Sequence, residues 1–278
     1  MILIVDSLNR HLYPDILEDM FRLRARIFGG RLGWEVDIQN GLEHDMFDDL
    51  DPAYIIGLNS DMQVISCMRA LQTTGPHMLS DVFSAILGDE PPMRSSTIWE
   101  ATRFCVDTEL LSRSKGARKT ISQATCELNI GALEYAIEAG ITDVIAVVDP
   151  IMDRVLRRSG NGAYDYLGHC VPCGKTSALA GLIDCTEERL TRVRKFASIT
   201  GDIYVNEDEL RTRRAAMKSA MARKSARTAS RGLLENYLME QIGDATTAEE
   251  LQAALSLTDH LLGAYVEQKM PSIRSLRA

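Results

Sequence analysis

The stretch GITDVIAVVDPIMDRVLRRSG, residues 140–160, carries the clearest structural signal in the chain. Residues 141–148 are rich in Val and Ile, which predicts a buried, central β-strand. Pro150 stands where the first turn of a helix would begin, and Gly160 stands just after its predicted end. A buried strand that leads directly into a helix is typical of an α/β domain, in which helices cover a sheet.

More strands and helices are predicted on both sides of this stretch. Short or alternating apolar runs predict strands, and apolar residues at helical spacing predict helices. The predicted strands are residues 2–5, 54–58, 64–71, 98–106, 163–171 and 176–183, and the predicted helices are residues 15–28, 78–87, 117–139 and 150–159. Gly29 and Gly30 are expected to end the first helix. The predicted fold class is α/β, with a mixed central sheet flanked by helices.

The sequence changes character near residue 200, which predicts a domain of residues 1–200 and a helical C-terminal extension of residues 201–278. Asn206 is expected to cap a helix that runs to about residue 241, and Thr247 with Glu250 resembles a capping box for a helix over 248–266. The first of these helices is strongly basic. That charge fits either a solvated face or a surface that docks an acidic partner, so the role of the extension stays open.

Composition and charge limit the classes of function. The chain has 278 residues, of which 45% are hydrophobic, enough for a sizeable core. The net charge of −8 argues against bulk electrostatic binding of nucleic acid. The N-terminus lacks the pattern of a secretion signal, and no stretch is long and apolar enough to span a membrane, so a cytoplasmic protein is expected. The sequence does not predict the oligomeric state.

The six cysteines are expected to be reduced in that compartment. Cys170 and Cys173 form a C-x-x-C pair, but the second pair or the histidines that a zinc site needs are missing at matching spacing. No metal site is therefore predicted, and the cysteines are interpreted as small buried apolar residues.

Charged side chains are concentrated in a polar loop, residues 31–50, and in the predicted strand of residues 98–106. Alternation along that strand places Glu100 and Thr102 on one face and Arg103 on the other. A buried carboxylate or guanidinium is costly unless it is paired. Ion pairs between the arginines and the acids of these segments would equally well stabilise the fold or form a functional site, and composition does not decide between the two.

Eight residues in these segments and beside them stand in the order and spacing of a known signature. The local strings are R-x-R-x-x-x-F-x-x-R-L-x-W from residue 22, G-x-E-x-D-x-F-D from residue 41 and W-E-x-[ST]-R-F-x-V from residue 99. The eight residues are Arg24, Phe28, Trp34, Asp45, Asp48, Arg69, Glu100 and Arg103. In this pattern the chain resembles the acyl-homoserine-lactone synthase (autoinducer synthase) family over about residues 1–195. The resemblance implies a fold like that of the GNAT N-acyltransferases, whose sheet splays to hold a phosphopantetheine thioester, with an N-terminal loop that closes over S-adenosylmethionine.

The activity of that family implies two bond-forming steps. The amine of S-adenosylmethionine is acylated by an acyl thioester, and the methionyl carboxylate then closes a lactone and expels methylthioadenosine. S-adenosylmethionine is thus a substrate, and no cofactor is expected. Glu100 is the candidate base, because burial of a carboxylate in an apolar strand favours a raised pKa. Backbone N–H groups of residues 103–106 are candidate donors to the oxyanion.

The same resemblance assigns roles to the other signature residues. Asp45 and Asp48 would orient the cationic amine or the sulfonium, and Arg69 would pair with one of these acids. Arg24 and Arg103 would hold a carboxylate or lock those acids, since a guanidinium matches a carboxylate in shape and charge. The residues expected to line the S-adenosylmethionine pocket are Phe28, Trp34, Phe104 and Val106.

The resemblance leaves two acyl donors open, an acyl carrier protein and acyl-coenzyme A. Arg154, Arg157 and Arg158 would receive an acidic carrier protein. Some family members that make 3-oxo products carry a Thr at the end of the central strand, where this chain has Val147, Val148 and Asp149. That departure disfavours a 3-oxo chain, and the acyl chain length is not predicted.

Two other functions fit part of the sequence. A GNAT-like N-acyltransferase for another amine would need a glycine-rich cofactor loop, which residues 113–117 resemble only faintly. A non-catalytic protein that binds acyl groups or S-adenosylmethionine would have no reason to keep Glu100 in a strand.

Overall fold

The computed structural model describes residues 1–112, 117–174 and 176–262. Packing divides the chain into two compact units, Met1–Leu210 and Arg211–Ala278. The strands of the described residues are β1 (Ile2–Val5), β2 (Ile38–Gln39), β3 (Leu42–Glu43), β4 (Ala53–Leu58), β5 (Val64–Gln72), β6 (Ile98–Val106), β7 (Asp143–Val148), β8 (Asp165–Cys173) and β9 (Thr176–Asp184). The α-helices are α1 (Pro14–Arg24), α2 (Met78–Asp81), α3 (Thr108–Ser112), α4 (Ala117–Glu138), α5 (Pro150–Arg158), α6 (Glu187–Ala197), α7 (Glu207–Asp244) and α8 (Ala248–Leu262).

Seven of these strands form one mixed sheet in the order β1-β4-β5-β6-β7-β9-β8. Neighbours in the sheet are antiparallel except β6 and β7, which run parallel from Ile98 opposite Asp143 to Ala101 opposite Ala146. Strand β6 then continues to Val106, paired with β5 but no longer with β7. The two parallel strands therefore separate after Ala101 and leave a cleft in the sheet. The prediction of a mixed, GNAT-like sheet flanked by helices is confirmed.

Helices cover both faces of the sheet, because its inner strands are apolar on both sides. On one face, Met20 and Leu23 of α1 pack with Tyr54 and Ile56 of β4. On the other face, Leu128, Ile130 and Leu133 of α4 pack with a separate set of strand residues that includes Ile55. Helix α4 approaches so closely that a Cβ on Gly131 would lie 2.9 Å from a side-chain carbon of Ile2. Only glycine fits there without a shift of its neighbour.

Residues just beyond position 200 still belong to the first unit. The Ile2 N–H donates to the Ile203 carbonyl at 2.7 Å, and the Val205 N–H donates to the Ile2 carbonyl at 2.9 Å. Val205 and Leu210 are buried in the cluster that α1 forms with the sheet. The described packing therefore extends this unit to Leu210, while a functional boundary at residue 200 remains a prediction.

The two predicted helix caps of the extension are present. The Glu209 N–H donates to Asn206 Oδ1 at 3.0 Å. At the start of α8, the Glu250 N–H donates to Thr247 Oγ1 at 3.2 Å, and Glu250 Oε2 accepts from the Thr247 N–H at 3.1 Å. This reciprocal pair is a capping box, as predicted. Within the second unit, Ile242 of α7 packs with Ala254 and Leu255 of α8.

Two local predictions are wrong, and one helix was not predicted. Gly29 and Gly30 do not end the first helix, since a π-helical turn, Ala25–Arg31, continues α1 through both glycines. The helix predicted over residues 78–87 is broken into α2 and a 3-10 turn, Ser84–Ile86. Helix α6, which begins at the Thr186 cap, was not predicted.

The cysteine prediction is correct for Cys67, Cys105 and Cys126, which are buried. It is wrong for Cys170 and Cys173, which are exposed because β8 is the outer strand of the sheet. Within the described ranges, no group of three or more His, Cys, Asp or Glu side chains is arranged to hold a metal ion. None of the helices described has the length and apolarity needed to cross a membrane.

Candidate active site

A β-bulge in β6 shapes the candidate site. Cys67 lies opposite Cys105 and Arg69 lies opposite Thr102, so both Arg103 and Phe104 stand against the single residue Met68. Arg103 takes a positive φ of 54°. Such a bulge kinks the strand and re-aims side chains. The left-handed conformation of a non-glycine residue costs about 1–3 kcal/mol, which the surrounding contacts must offset.

The bulge overturns the prediction that Arg103 faces away from Thr102. Thr102 Oγ1 accepts from Arg69 Nε at 3.0 Å. Arg103 Nη2 donates to Asp45 Oδ2 at 2.7 Å, and Asp45 also accepts from Arg69. Thr102 therefore bonds to Arg69, Arg103 bonds to Asp45, and Arg69 bonds to Asp45 as well, so both side chains point toward the same group of charges. Regular alternation would have placed them on opposite faces.

Asp48 is buried, and both of its oxygens accept hydrogen bonds. Arg24 donates to both of its oxygens, at 2.7 and 2.8 Å, and the Tyr54 hydroxyl donates to Oδ1 at 2.8 Å. The Asp45 N–H donates to Oδ2 at 2.9 Å. Although burial alone would raise it, the hydrogen bonds and charges of Arg24 and Arg69 hold the pKa of Asp48 well below its usual range.

Asp45 is held differently and is more open. It accepts from Arg69 at 2.5 Å and from Arg103 at 2.7 Å, and its side chain keeps 17% of its surface exposed. The side chain of Asp48 is fully buried. Asp45 also accepts from the Phe47 N–H and so starts the 3-10 turn, Met46–Asp49, that carries Asp48. Of the two predicted acids, Asp45 is the one whose side chain is partly exposed.

Glu43 completes the cluster and was not among the predicted site residues. It is fully buried, pairs with Arg24, and accepts from Arg103 Nε at 3.1 Å and Nη2 at 3.0 Å. Asn40 and Gly41, both at positive φ, make the tight turn between β2 and β3 that aims Glu43 inward. The signal was in the sequence, since the string from residue 41 contains this Glu two positions before Asp45.

Three arginines thus face three acids in a buried, charge-balanced cluster, defined here as the arginine–acid cluster: Arg24, Arg69, Arg103, Glu43, Asp45 and Asp48. Removing one partner of a buried ion pair typically costs about 3–5 kcal/mol, because the other charge is left without compensation. The three arginines and three acids are therefore paired with one another without any ligand.

Glu100 lies beside this cluster and is fully buried. Its two oxygens accept from the Met78 N–H at 2.7 Å and the Leu79 N–H at 2.6 Å. Burial raises the pKa of Glu100 to about 7, although both N–H groups and the nearby Arg69 charge act in the opposite direction. Met78 also joins Glu100 to the cluster, since its sulfur lies 3.4 Å from Arg69 Nη2 and 3.5 Å from Arg103 Nη1.

The structure brings two of the four predicted pocket-lining side chains to the cluster. Phe28 is buried with Arg103 over its ring at 5.5 Å, and Trp34 stacks on Phe28 at 5.1 Å while 54% exposed. Phe104 and Val106 instead pack in the core on the α4 side of the sheet. These two side chains therefore do not contact the arginine–acid cluster.

The predicted carrier-docking residues lie on α5, where all three are exposed. They are not equivalent. Arg157 donates to Asp153 at 2.9 Å and to the Tyr166 hydroxyl at 2.6 Å. Arg154 and Arg158 lie on the same side of the helix as the exposed apolar side chains of Ile151 and Val155. The loop weighed as a cofactor loop falls largely outside the described residues, since 113–116 are among the gaps.

A mixed sheet whose two parallel strands separate beside a buried carboxylate is the architecture of the GNAT-like class of acyltransferases. The chain belongs to the autoinducer synthase family, whose model matches residues 9–193. It is 37% identical over 169 residues to the acyl-homoserine-lactone synthase of Agrobacterium fabrum, covering 61% of this chain and 79% of that one. It is 36% identical over 179 residues to the "Probable acyl-homoserine-lactone synthase" of Sinorhizobium fredii, covering 64% of this chain and 85% of that one.

Solved structures give the same result. The CoA-dependent acyl-homoserine lactone synthase MesI is 29% identical with a TM-score of 0.62, covering 73% of this chain and 98% of that one. The structure of the CoA-dependent synthase BjaI with SAM and isopentyl-CoA is 26% identical with a TM-score of 0.63, covering 77% of this chain and 99% of that one. The resemblance read from the sequence is confirmed.

Proposed function

We propose that the chain acylates the amine of S-adenosylmethionine from an acyl thioester and then closes the homoserine lactone, releasing methylthioadenosine. The observation that carries this proposal is a fully buried Glu100 whose pKa is raised to about 7, set beside the arginine–acid cluster. Family membership supports the reaction class. The chain would thus supply a diffusible quorum-sensing signal.

The first step needs a base and an oxyanion site. The amine is largely protonated at neutral pH, and Glu100 would take its proton, directly or through one water. A group with a pKa near the working pH is well matched to this task. The nitrogen then attacks the thioester carbonyl, the C–S bond breaks, and the thiol leaves. Backbone N–H groups of β6 beyond Ala101, where pairing with β7 has ended, are the proposed donors to the oxyanion.

The second step depends mainly on placement. The methionyl carboxylate attacks its own γ-carbon, and the bond to the sulfonium breaks with methylthioadenosine as the leaving group. A sulfonium leaves readily, so a fixed approach of oxygen to carbon supplies much of the rate through effective molarity. The exposed face of Trp34 is suited to cover the sulfonium through a cation–π contact.

The three acids of the arginine–acid cluster would have different roles. Asp45 keeps exposed surface and would contact the ammonium or the sulfonium directly. Asp48 and Glu43 are fully buried and occupied by arginines, so they would act by holding Arg24, Arg69 and Arg103 in place. Asp48 is therefore proposed as a positioning residue. This is a narrower role than the sequence assigned to it.

The acyl donor is proposed to be acyl-coenzyme A or an acyl carrier protein. The MesI and BjaI structures are described as CoA-dependent, which favours the first donor by analogy. The exposed Arg154 and Arg158, with the exposed Ile151 and Val155 on the same side of α5, form a surface suited to an acidic carrier protein. Both donors carry the same phosphopantetheine arm, so the reacting end would bind identically.

The reaction is tested by incubating the purified chain with S-adenosylmethionine and matched acyl-coenzyme A and acyl-carrier-protein series. Mass spectrometry should find an acyl-homoserine lactone and methylthioadenosine in equal amounts. Absence of lactone with every donor would refute the proposal. An N-acylated product from another amine would support the GNAT-like alternative, and tight S-adenosylmethionine binding without any turnover would support a binding protein.

The donor is tested by the double variant Arg154→Glu/Arg158→Glu. If a carrier protein docks on α5, its KM at low salt should rise about tenfold, because charge complementarity mainly speeds encounter. The KM of acyl-coenzyme A and kcat should stay unchanged. Arg192→Glu is the matched control, an exposed arginine on α6 paired with Glu188. An unchanged carrier KM would rule out α5 as the docking surface.

A further inference from the structure

The π-helical turn that continues α1 carries two arginines on one side. The Leu32 N–H donates to the Ile27 carbonyl at 2.9 Å, five residues back, which is the hydrogen-bond pattern of a π-helix. In such a turn, residues five apart lie on roughly the same side of the helix, whereas in an α-helix of 3.6 residues per turn they lie about 140° apart. The turn therefore brings Arg26 and Arg31 to one side.

Both arginines bond to residues at the end of β6 or just after it. Arg26 Nη2 lies 2.9 Å from Asp107 Oδ2. Arg31 Nη1 donates to Thr108 Oγ1 at 2.5 Å and to the Val106 carbonyl at 3.4 Å. Asp107 is itself buried and fixed, since its Oδ1 accepts from the Leu110 N–H at the start of α3. The turn is thus held to the junction between β6 and α3.

That junction borders the cleft. Pairing between β6 and β7 ends at Ala101, so residues 102–106 form the free side of the splayed sheet. Between Arg26 and Arg31, the same turn places Phe28 against Arg103 of the bulge, and Trp34 stacks on Phe28. One short turn therefore contacts β6 at its bulge and at its end. It also carries Phe28, the aromatic side chain that packs on Arg103 of the arginine–acid cluster.

We propose that Arg26 and Arg31 are positioning residues that couple the S-adenosylmethionine site to the acyl-thioester cleft, so that binding of either substrate favours binding of the other. The identity of the two substrates rests on the proposed function. A thioester that fixes the free end of β6 fixes Asp107 and Thr108, and through them the turn that carries Phe28. Linkage requires the effect to be equal in both directions.

Calorimetry tests this coupling without turnover. The dissociation constant of S-adenosylmethionine is measured alone and with saturating S-butyl, S-octyl or S-dodecyl phosphopantetheine, thioethers that carry the arm common to both donors and cannot transfer their chain. In the unmodified chain we expect about fivefold tighter binding of S-adenosylmethionine in the presence of the thioether, at the low end of known coupling. The double variant Arg26→Gln/Arg31→Gln should bring that factor to about one while leaving the affinity for S-adenosylmethionine alone unchanged.

Three further variants sharpen the result. Arg22→Gln is the matched control, an exposed arginine on α1 paired with Glu18, and should keep the full factor. Thr108→Val removes the acceptor of Arg31 without touching the turn, and should lower the factor even if the double variant does not fold. Arg26→Lys/Arg31→Lys keeps both charges and should restore part of the coupling.

The outcomes separate this inference from the proposed function. A factor of one in the unmodified chain, with both compounds bound, would overturn the inference alone. So would a double variant that keeps the full factor. Failure of S-adenosylmethionine to bind at all would instead contradict the proposed function.

Discussion

Arg103 Nη2 lies 2.7 Å from Asp45 Oδ2, and Arg103 makes this contact from a left-handed backbone conformation. The same guanidinium lies over the ring of Phe28 and reaches Glu43. One unfavourable backbone conformation thus joins the acids of the loop to the strand that carries Glu100. Strain of this kind is common at functional sites, where neighbouring contacts hold it in place.

Replacing Arg103 by two small residues separates its backbone from its side chain. Arg103→Gly and Arg103→Ala both remove the guanidinium and should both abolish lactone formation. Glycine adopts positive φ without penalty, so Arg103→Gly should be more stable than Arg103→Ala by about 1 kcal/mol. Urea unfolding of the two variants measures the difference. Equal stabilities would show that the bulge relaxes once the side chain is gone.

Loss of Glu100 should remove catalysis but not binding. Glu100→Gln keeps the size of the side chain and should lower kcat at least about a hundredfold, the low end for a lost general base. Calorimetry should still detect S-adenosylmethionine binding. Unchanged turnover would remove Glu100 as the base.

The pH dependence can be derived from the raised pKa of Glu100, which is about 7. The carboxylate is the active form, so kcat/KM should rise as the pH increases through about 7 and then level off. The amine of S-adenosylmethionine also gains reactivity as it loses its proton. Glu100→Gln separates the two causes, because its residual kcat/KM should no longer rise near pH 7. A rise that persists in this variant would be assigned to the amine of the substrate.

Asp48 should matter more for stability than its neighbour Tyr54. Asp48→Asn leaves Arg24 and Arg69 short of a buried charge partner and should lower the free energy of unfolding by about 3–5 kcal/mol. Tyr54→Phe removes one hydrogen bond to the same carboxylate and should cost only about 1 kcal/mol. Because the pKa of Asp48 is lowered in the folded chain, its contribution is present above the unfolded pKa and is lost as the pH falls. Similar losses for both variants at neutral pH would argue against a charged Asp48.

Truncation distinguishes the extension from the catalytic unit. Removing everything after residue 210 should leave lactone formation intact, because the core clusters around the sheet end at Leu210. Removing everything after residue 200 deletes Ile203, Val205 and Leu210 from that core and should prevent folding, since each large buried side chain is worth about 2–5 kcal/mol. Thermal melting and the lactone assay measure both. An inactive but folded 210-residue truncation would give the extension a direct role.

Regular periodicity made the sheet predictable from the sequence. Strands such as β6 were found over their full length, because alternating or continuous apolar residues leave few other structures. Helix α6 was not predicted, because its only buried apolar residues are Leu190 and Val193 and their neighbours are charged. The turn beyond Gly29 is set by contacts with the end of β6, which local propensity does not encode.

The site was partly predictable for a similar reason. Residue identities and order pointed to Arg24, Asp45, Asp48, Arg69, Glu100 and Arg103. Their separate roles depend on which side chains stay partly exposed, as at Asp45, and on the position of the bulge. Both are tertiary properties. Pocket-lining roles for Phe104 and Val106 stay predictions, and the bulge turns their side chains toward the α4 core.

The gap between β6 and β7 has a consequence for selectivity. Past Ala101, the backbone of β6 that β7 leaves unpaired offers the hydrogen bonds that another strand would take, and any arm with peptide-like amides can satisfy them. Such a row of backbone groups does not distinguish the chemical groups attached at either end of the arm. Under the proposed function, the choice of carrier and the choice of fatty chain would then be made elsewhere, at the outer surface and in the apolar interior, and those two preferences would be free to evolve separately from the chemistry.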